Sequence, residues 1–261
     1  MFDFHAHSGL SFDTDSDPKE MLAAAEAAGL KELCFTDHYD YSTDPEGHHD
    51  LFSLADYVAA YGDLTSSKVT VRRGVEFGLT DWNRAELSKL TAAYPFDFVI
   101  GSVHSVDGSD PYFADYWVGL AEREAFEKYL LQVLTCVRAH DGYDVLGHIN
   151  YVCKSAYNPT GAPLRYADYA DLSDEIMRVL VEKGKGMEIN TSGVDRVGAF
   201  LPDRDFLVRF KELGGEVVTV GSDAHDPARV GQYAHEAVRL AAEIFGYVCT
   251  FADRKPVFHK L

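Results

Sequence analysis

The sequence predicts a single α/β domain built as a parallel, barrel-like sheet wrapped by helices, with its chemistry at the C-terminal mouth of the strands. Three observations lead there. Short β-branched or aromatic runs alternate with longer amphipathic runs about seven times. No low-complexity linker interrupts the 261 residues, a length that one large domain accommodates. Histidines and carboxylates follow the ends of successive predicted strands, where a parallel barrel gathers them. On these observations alone a doubly wound open sheet is the competing topology.

The elements read in order as follows. Phe2-Asp3-Phe4 is a short strand. Asp17-Pro18-Lys19-Glu20 opens a helix, because Asp17 can cap it, Pro18 suits the first turn and Glu20 completes a capping box. That helix ends near Gly29, a natural left-handed terminator. Glu32 to Thr36 is the second strand, Leu51 to Leu64 a helix, and Val69 to Phe77 the third strand. A helix over Asp81 to Tyr94 leads to a strand over Phe98 to Val103. Glu122 to Ala139 is a helix, Val145 to Gly147 a short strand, Asp168 to Lys183 a helix and Gly186 to Ile189 a strand. The series closes with a helix over Asp203 to Leu213, a strand over Val217 to Val220, a helix over Pro227 to Phe245 and a tail strand over Tyr247 to Phe251. Tyr39 to Asp50 and Val106 to Gly119 stand outside the alternation, and loops of that length are usually lids, binding loops or disorder.

Composition narrows the function classes. With 46 % hydrophobic residues the chain is that of a folded protein rather than a disordered tail. Its 42 acidic against 24 basic residues give a formal charge of −18. Such a balance argues against nucleic acid and anionic membranes as partners, since both are held by clustered Lys and Arg. The start, MFDFHAHSGL, lacks a basic and apolar leader, and no stretch approaches the roughly 18 apolar residues of a membrane span. Cys34, Cys136, Cys153 and Cys249 are scattered, which suits buried free thiols in a reducing cytoplasm.

The chemistry collects after the strands. His5 and His7 follow the first as HAH, with Asp13 six residues beyond His7. Asp37-His38 follows the second, Glu76 ends the third and His104 the fourth. His148 follows the fifth, Asn190 the sixth, and Asp223-Ala224-His225 the seventh. Residues two apart on a strand share a face, so both imidazoles of HAH can address one centre. One or two such groups suffice for acid–base catalysis, whereas this many suit a polynuclear site for Zn, Mn or Fe. His48, His49, His140, His235 and His259 lack that placement and read as solvated or helix-end residues, with His48 and His49 also open to contacting a substrate from their loop.

At the motifs DFHAHS, CFTDH, GVEFG, FVIGSVH, LGHINYV, MEINTSG and TVGSDAH the sequence resembles the PHP (polymerase and histidinol phosphatase) superfamily, and more closely its monofunctional histidinol-phosphate phosphatases. The likeness runs from Phe2 to about Phe258. It implies a distorted seven-stranded β/α barrel holding two or three divalent ions. It further implies that His5, His7, Glu76 and Asp223 hold the first ion and that Glu76 bridges to a second completed by His104 and His148. Asp13, His38 and His225 would hold the third, with Asp13 standing where many relatives carry His.

Hydroxide held between two dications is a nucleophile near neutral pH, and phosphate oxygens can replace solvent on the ions. GxSxG, P-loop and CxxxxxR signatures are absent. The expected reaction is hydrolysis of a phosphate monoester, and the resemblance implies L-histidinol phosphate, in histidine biosynthesis. His5, His7, Glu76, His104, His148, Asp223 and His225 are the expected catalytic residues. Lys154 and Arg196 stand where relatives place phosphate-facing bases, Arg196 after one extra residue, and Asn190 is a further candidate substrate contact. Asp40, Tyr41, Asp107, Asp110, Tyr112, Asp115 and Trp117 are loop residues suited to an ammonium or imidazole. The rival readings are another small phosphoesterase, a nuclease, and a metal-stabilised binding module without activity. Nothing in the sequence fixes an oligomeric state.

Overall fold

A computed structural model describes residues 1–41 and 49–261. The strands are β1 (Phe2–Ala6), β2 (Glu32–Phe35), β3 (His38–Tyr39), β4 (Thr70–Gly78), β5 (Phe98–Ser102), β6 (Val145–Leu146), β7 (Gly186–Asn190) and β8 (Val218–Gly221). They pair in parallel in the order β1-β2-β4-β5-β6-β7-β8, and β3 adds to the top of β4 by pairing His38 with Glu76. The two ends of that path meet just beyond β8. There the Asp223 N–H donates to the His5 carbonyl at 2.7 Å and the His7 N–H to the Ala224 carbonyl at 2.9 Å. This closure at the C-terminal rim selects the barrel over the open sheet.

Between the strands run α1 (Pro18–Ala27), α2 (Leu54–Tyr61), α3 (Arg84–Ala93), α4 (Glu122–Ala139), α5 (Ala170–Glu182), α6 (Val194–Val197), α7 (Arg204–Glu212) and α8 (Ala234–Phe245). The predicted Asp17 cap and first-turn Pro18 of α1 hold, with the Asp17 side chain accepting the Lys19 N–H at 2.8 Å. Gly29 at φ +69° then turns the chain out of the helix. β1, β2, β5, β6, β7 and β8 are buried along their whole length, as expected where helices cover one face of a sheet and the barrel interior the other.

Three segments differ from the sequence reading. The segment over Pro227 to Phe245 is not one helix. It makes a 3-10 turn at Pro227–Arg229, passes through Tyr233 at φ +56° and only then enters α8. The break is fixed by the Gly231 N–H, which donates to the buried Asp3 carboxylate at 2.8 Å. The tail is a hairpin of β9 (Tyr247–Ala252) and β10 (Lys255–Lys260), turned by Asp253 and Arg254 at φ +49° and +62°. Two positive-φ residues make the primed turn that matches strand twist. The exposed β10 carries Lys255, Pro256 and Lys260, which hid it from an apolar-run criterion.

The third segment is Val106 to Gly119, which is folded rather than open. Val106 and Ser109 form a bridge, Ala114–Trp117 is a 3-10 turn, and Trp117 is buried with its indole N–H donating to the Pro111 carbonyl and Ser155 Oγ. The other long segment starts as β3 and a bridge between Asp40 and Asp50, while His48 lies outside the described residues. All four cysteines are free and buried, and burial pushes the Cys136 and Cys153 thiols up to about 12. Among the described residues no helix is long and apolar enough to cross a membrane.

Candidate metal centre

The strands deliver nine predicted ligands to one rim. His5 is in β1 with His7 just past it, His38 is in β3 and Glu76 in β4. His104 and His148 lie two residues past β5 and β6, and Asp223 and His225 follow β8. Asp13 arrives from the loop after β1. Asp223 is held in the left-handed region at φ +56°, a strained backbone of the kind that collects at functional sites.

Glu76 is the centre of the arrangement. Its Oε2 lies 3.2 Å from His5 Nε2 and 3.6 Å from His7 Nε2, and Asp223 Oδ1 lies 3.8 and 3.3 Å from the same two nitrogens. Its Oε1 faces the opposite way, 3.3 Å from His104 Nε2 and 2.9 Å from His148 Nε2. A third group adjoins these, with Asp13 Oδ2 2.9 Å from His225 Nε2 and 3.6 Å from His38 Nε2, while His38 Nδ1 lies 3.0 Å from Glu76 Oε2. Donor atoms sharing one ion at bonds near 2.1 Å stand about 3 to 3.5 Å apart, so these separations fit divalent transition metals.

Unsatisfied atoms make the same point. His5 Nε2, His7 Nε2, Glu76 Oε2 and His225 Nε2 are buried and have no hydrogen-bond partner among the described residues. Native proteins seldom leave such atoms unpaired without a reason. The far nitrogens of the rings are engaged instead. His5 Nδ1 lies 2.6 Å from Glu188 Oε1, His7 Nδ1 3.1 Å from Ser11 Oγ, His104 Nδ1 3.0 Å from Asp40 Oδ2, and His225 Nδ1 2.9 Å from the Asp223 carbonyl. An acceptor on Nδ1 keeps the proton there and turns the Nε2 lone pair toward the centre.

The field is consistent with ionised carboxylates. Burial opposes the charge of Glu76, but His5, His104 and His38 hold its carboxyl well below the usual range. Burial likewise opposes the charge of Asp223, which Lys154 and His5 hold low. Burial and the neighbouring His225 and His38 hold His7 well below an ordinary imidazole. His5, His38 and His104 differ: despite burial, Glu188 and Glu76 hold His5 well above an ordinary imidazole, Glu76 and Asp13 do the same for His38, and Asp40 and Glu76 push His104 up to about 10.

A cavity of about 650 Å³ opens above this rim, and Asp13, His38, His104, His148, Asp223 and His225 form its floor. Lys154 enters it with Nζ 2.6 Å from Asp223 Oδ2, and Arg196 enters it donating to the Tyr112 hydroxyl at 3.1 Å. Asn190, predicted to touch substrate, is instead fully buried behind Asp223. Its amide donates to Glu188 and Asp223, and its carbonyl accepts from Ser192. Of the loop residues, Asp40, Asp110 and Tyr112 line the cavity. Asp107 pairs outward with Lys128, Asp115 is exposed in its 3-10 turn, Tyr41 stacks edge-on against Trp82, and Trp117 is a buried anchor.

Sequence reasoning missed two groups here. Glu188 is a charged residue in the otherwise apolar strand GMEIN, which is the signal that was available. Arg229 is a third cation of the cavity, paired with Asp195 at 3.1 Å, and was absorbed into the supposed long helix. Asp37 follows a strand but turns away from the centre, accepting from Ser8 N–H, Ser11 Oγ and Tyr61 OH. Outside the centre, His140 is buried with Nε2 on the Thr80 carbonyl, His259 bonds Thr250, and His235 is exposed.

The chain is 32 % identical over 259 residues to a histidinol-phosphatase of Lactococcus lactis, covering 97 % of this chain and 95 % of that one. It is 30 % identical to a probable histidinol-phosphatase of Clostridium acetobutylicum, covering 99 % and 96 %. A crystal structure of the histidinol phosphate phosphatase from Lactococcus lactis, complexed with zinc, L-histidinol and phosphate, superposes with a TM-score of 0.83 at 28 % identity, covering 98 % of both chains. Residues 3–192 match the family model of the PHP domain, and the chain belongs to that family.

Proposed function

We propose that the protein is a metal-dependent phosphatase that hydrolyses L-histidinol phosphate to L-histidinol and phosphate. The observation that carries this reading is Glu76, whose two oxygens face two separate histidine groups at the floor of a cavity that also holds Lys154 and Arg196. His5, His7, Glu76 and Asp223 would hold one ion, Glu76, His104 and His148 a second, and Asp13, His38 and His225 a third. Zinc is the proposed metal, because the Lactococcus lactis relative was crystallised with it. When bound, such ions polarise phosphoryl oxygens and ionise water near neutral pH.

The chain's own residues then have distinct tasks. Asp223 divides its carboxylate, with Oδ1 toward His5 and His7 and Oδ2 toward Lys154, Asn190 and Ser192. Lys154 and Arg196 bind the phosphate's remaining negative charge. Burial opposes the charge of Lys154, but Asp223 beside it keeps the ammonium protonated. Asp110 and Asp195 give the cavity anionic groups, and Phe12, Tyr112 and Phe113 give it aromatic surface, a combination suited to an ammonium and an imidazole. The cavity volume lies in the range of small-molecule sites, and the acidic chain offers an oligonucleotide no compensating basic surplus. The proposed setting is histidine biosynthesis in the cytoplasm.

The test is phosphate release from L-histidinol phosphate by protein loaded with zinc or manganese, beside nucleotides, simple phosphomonoesters and an oligonucleotide. Histidinol phosphate is expected to give the highest kcat/KM. Equal or better turnover of the other esters overturns the substrate, and no bound transition metal on elemental analysis overturns the chemistry.

A further inference from the structure

Behind the predicted ligands lies a second carboxylate that touches none of the substrate cavity. Glu188 is buried in the middle of β7, and among the described residues no Lys or Arg pairs with it. Its Oε1 lies 2.6 Å from His5 Nδ1, while its Oε2 accepts the His148 backbone N–H at 2.9 Å and the Asn190 amide at 3.2 Å. One carboxylate therefore joins β1, the segment after β6 and the residue that backs Asp223. The approach is close enough to dictate a neighbour: a Cβ on Gly221 of β8 would lie 2.5 Å from Glu188 Oε1 and 2.3 Å from His5 Cβ. A buried carboxylate without a basic side chain is stable only where donors and nearby positive charge replace water.

We infer that Glu188 is a positioning residue, which fixes the Nδ1–H tautomer of His5 and thereby keeps His5 Nε2 available to a metal ion, while its second oxygen locks His148 in the same frame. The inference rests on the metal-centre reading above. The donor count makes it specific. Oε2 receives two N–H donors, so in Glu188→Gln the amide oxygen must stay there and the new NH2 group must face His5. His5 Nδ1 then has to accept, and its proton moves to Nε2, the atom aimed at Glu76 and Asp223. A nearly isosteric change should thus spoil ligation while leaving the packing in place. Loss of such an outer partner typically lowers metal affinity about ten- to a hundredfold.

The experiment measures zinc affinity by chelator competition for the wild type, Glu188→Gln and Glu188→Asp, with the thermal midpoints of the metal-free proteins alongside. Glu188→Gln should bind zinc about ten- to a hundredfold more weakly, and Glu188→Asp, which keeps the charge but shortens the reach, should fall between. Nitrogen-15 shifts of the histidine rings in the zinc-loaded wild type should show the His5 proton on Nδ1, a readout that needs no variant to fold. Zinc affinity within about twofold of wild type in Glu188→Gln, or a His5 proton on Nε2 in the wild type, overturns the assignment of Glu188 alone. So does a variant whose metal-free midpoint falls while its zinc affinity holds. A wild type that binds no zinc overturns the metal centre itself, and the role of Glu188 with it.

Discussion

The inner and outer ligand groups of this rim are built differently. The side chains of His5, His7, Glu76, His148 and Asp223 are at most 4 % exposed and that of His104 is 10 %, whereas those of His38, His225 and Asp13 are 11 %, 29 % and 34 % exposed. Glu76 stands within a parallel strand paired on both sides, and His5 in the first strand of the barrel with its ring braced by Glu188. Asp13 comes from a loop, and His225 has its Nδ1 on the carbonyl of Asp223 two residues away. Burial strengthens electrostatic attraction, and preset rings lose little freedom on binding an ion. The inner positions should therefore hold metal tightly and the outer one loosely, from ligands of similar chemistry.

Several measurements can break that contrast. The largest effect belongs to Glu76→Gln, which removes the charge both inner groups share. Its kcat at saturating zinc should fall by at least about a thousandfold, and a loss under about tenfold removes Glu76 from the centre. Asp13→Ala should cost about ten- to a hundredfold in kcat at limiting zinc and recover partly with excess zinc. Equal, irreversible losses in the two variants would mean that inner and outer groups do not differ. Chelator titration followed by elemental analysis and melting should remove ions in two stages, the outer one first. At a hundredfold excess over its dissociation constant a bound ion contributes about 2.7 kcal/mol, so the outer stage should lower Tm by about 5 to 10 °C and the inner stage, which removes two ions, by about 10 to 20 °C.

The same contrast explains which parts of the molecule could be read from its sequence. The inner group was legible because a parallel barrel converts "just after a strand" into "at the mouth", and HAH and GSDAH repeat that placement. The seven paired strands of the barrel path were legible for the same reason, as buried apolar runs. What escaped depends on contacts between distant segments. Glu188 becomes meaningful only when β7 brings it against His5, 183 residues away in sequence. Arg229 faces the cavity because Gly231 is tied to Asp3, 228 residues earlier, which breaks the expected helix. Asn190 follows its strand like the ligands do, yet its side chain is drawn into the wall by Glu188, Asp223 and Ser192. Position after a strand selects the rim but not which way a side chain turns.

The two cations extend the contrast to the substrate. Lys154 belongs to the inner group: its side chain is 14 % exposed and its Nζ lies 2.6 Å from Asp223 Oδ2. Arg196 belongs to the outer one, exposed and donating to the Tyr112 hydroxyl at 3.1 Å. A charge-assisted contact shielded from water is worth about 1.5 to 3 kcal/mol, while an exposed one is worth about 0.2 to 1 kcal/mol. Lys154→Ala should therefore raise KM for the phosphate ester about ten- to a hundredfold, and Arg196→Ala only about two- to fivefold, with kcat the less affected constant in both. Added salt should narrow the gap between wild type and Arg196→Ala, since exposed charge is screened, and leave the Lys154→Ala defect almost unchanged. If Arg196→Ala has the larger KM effect, the phosphate is held from the outer rim, and depth in the cavity does not rank these contacts.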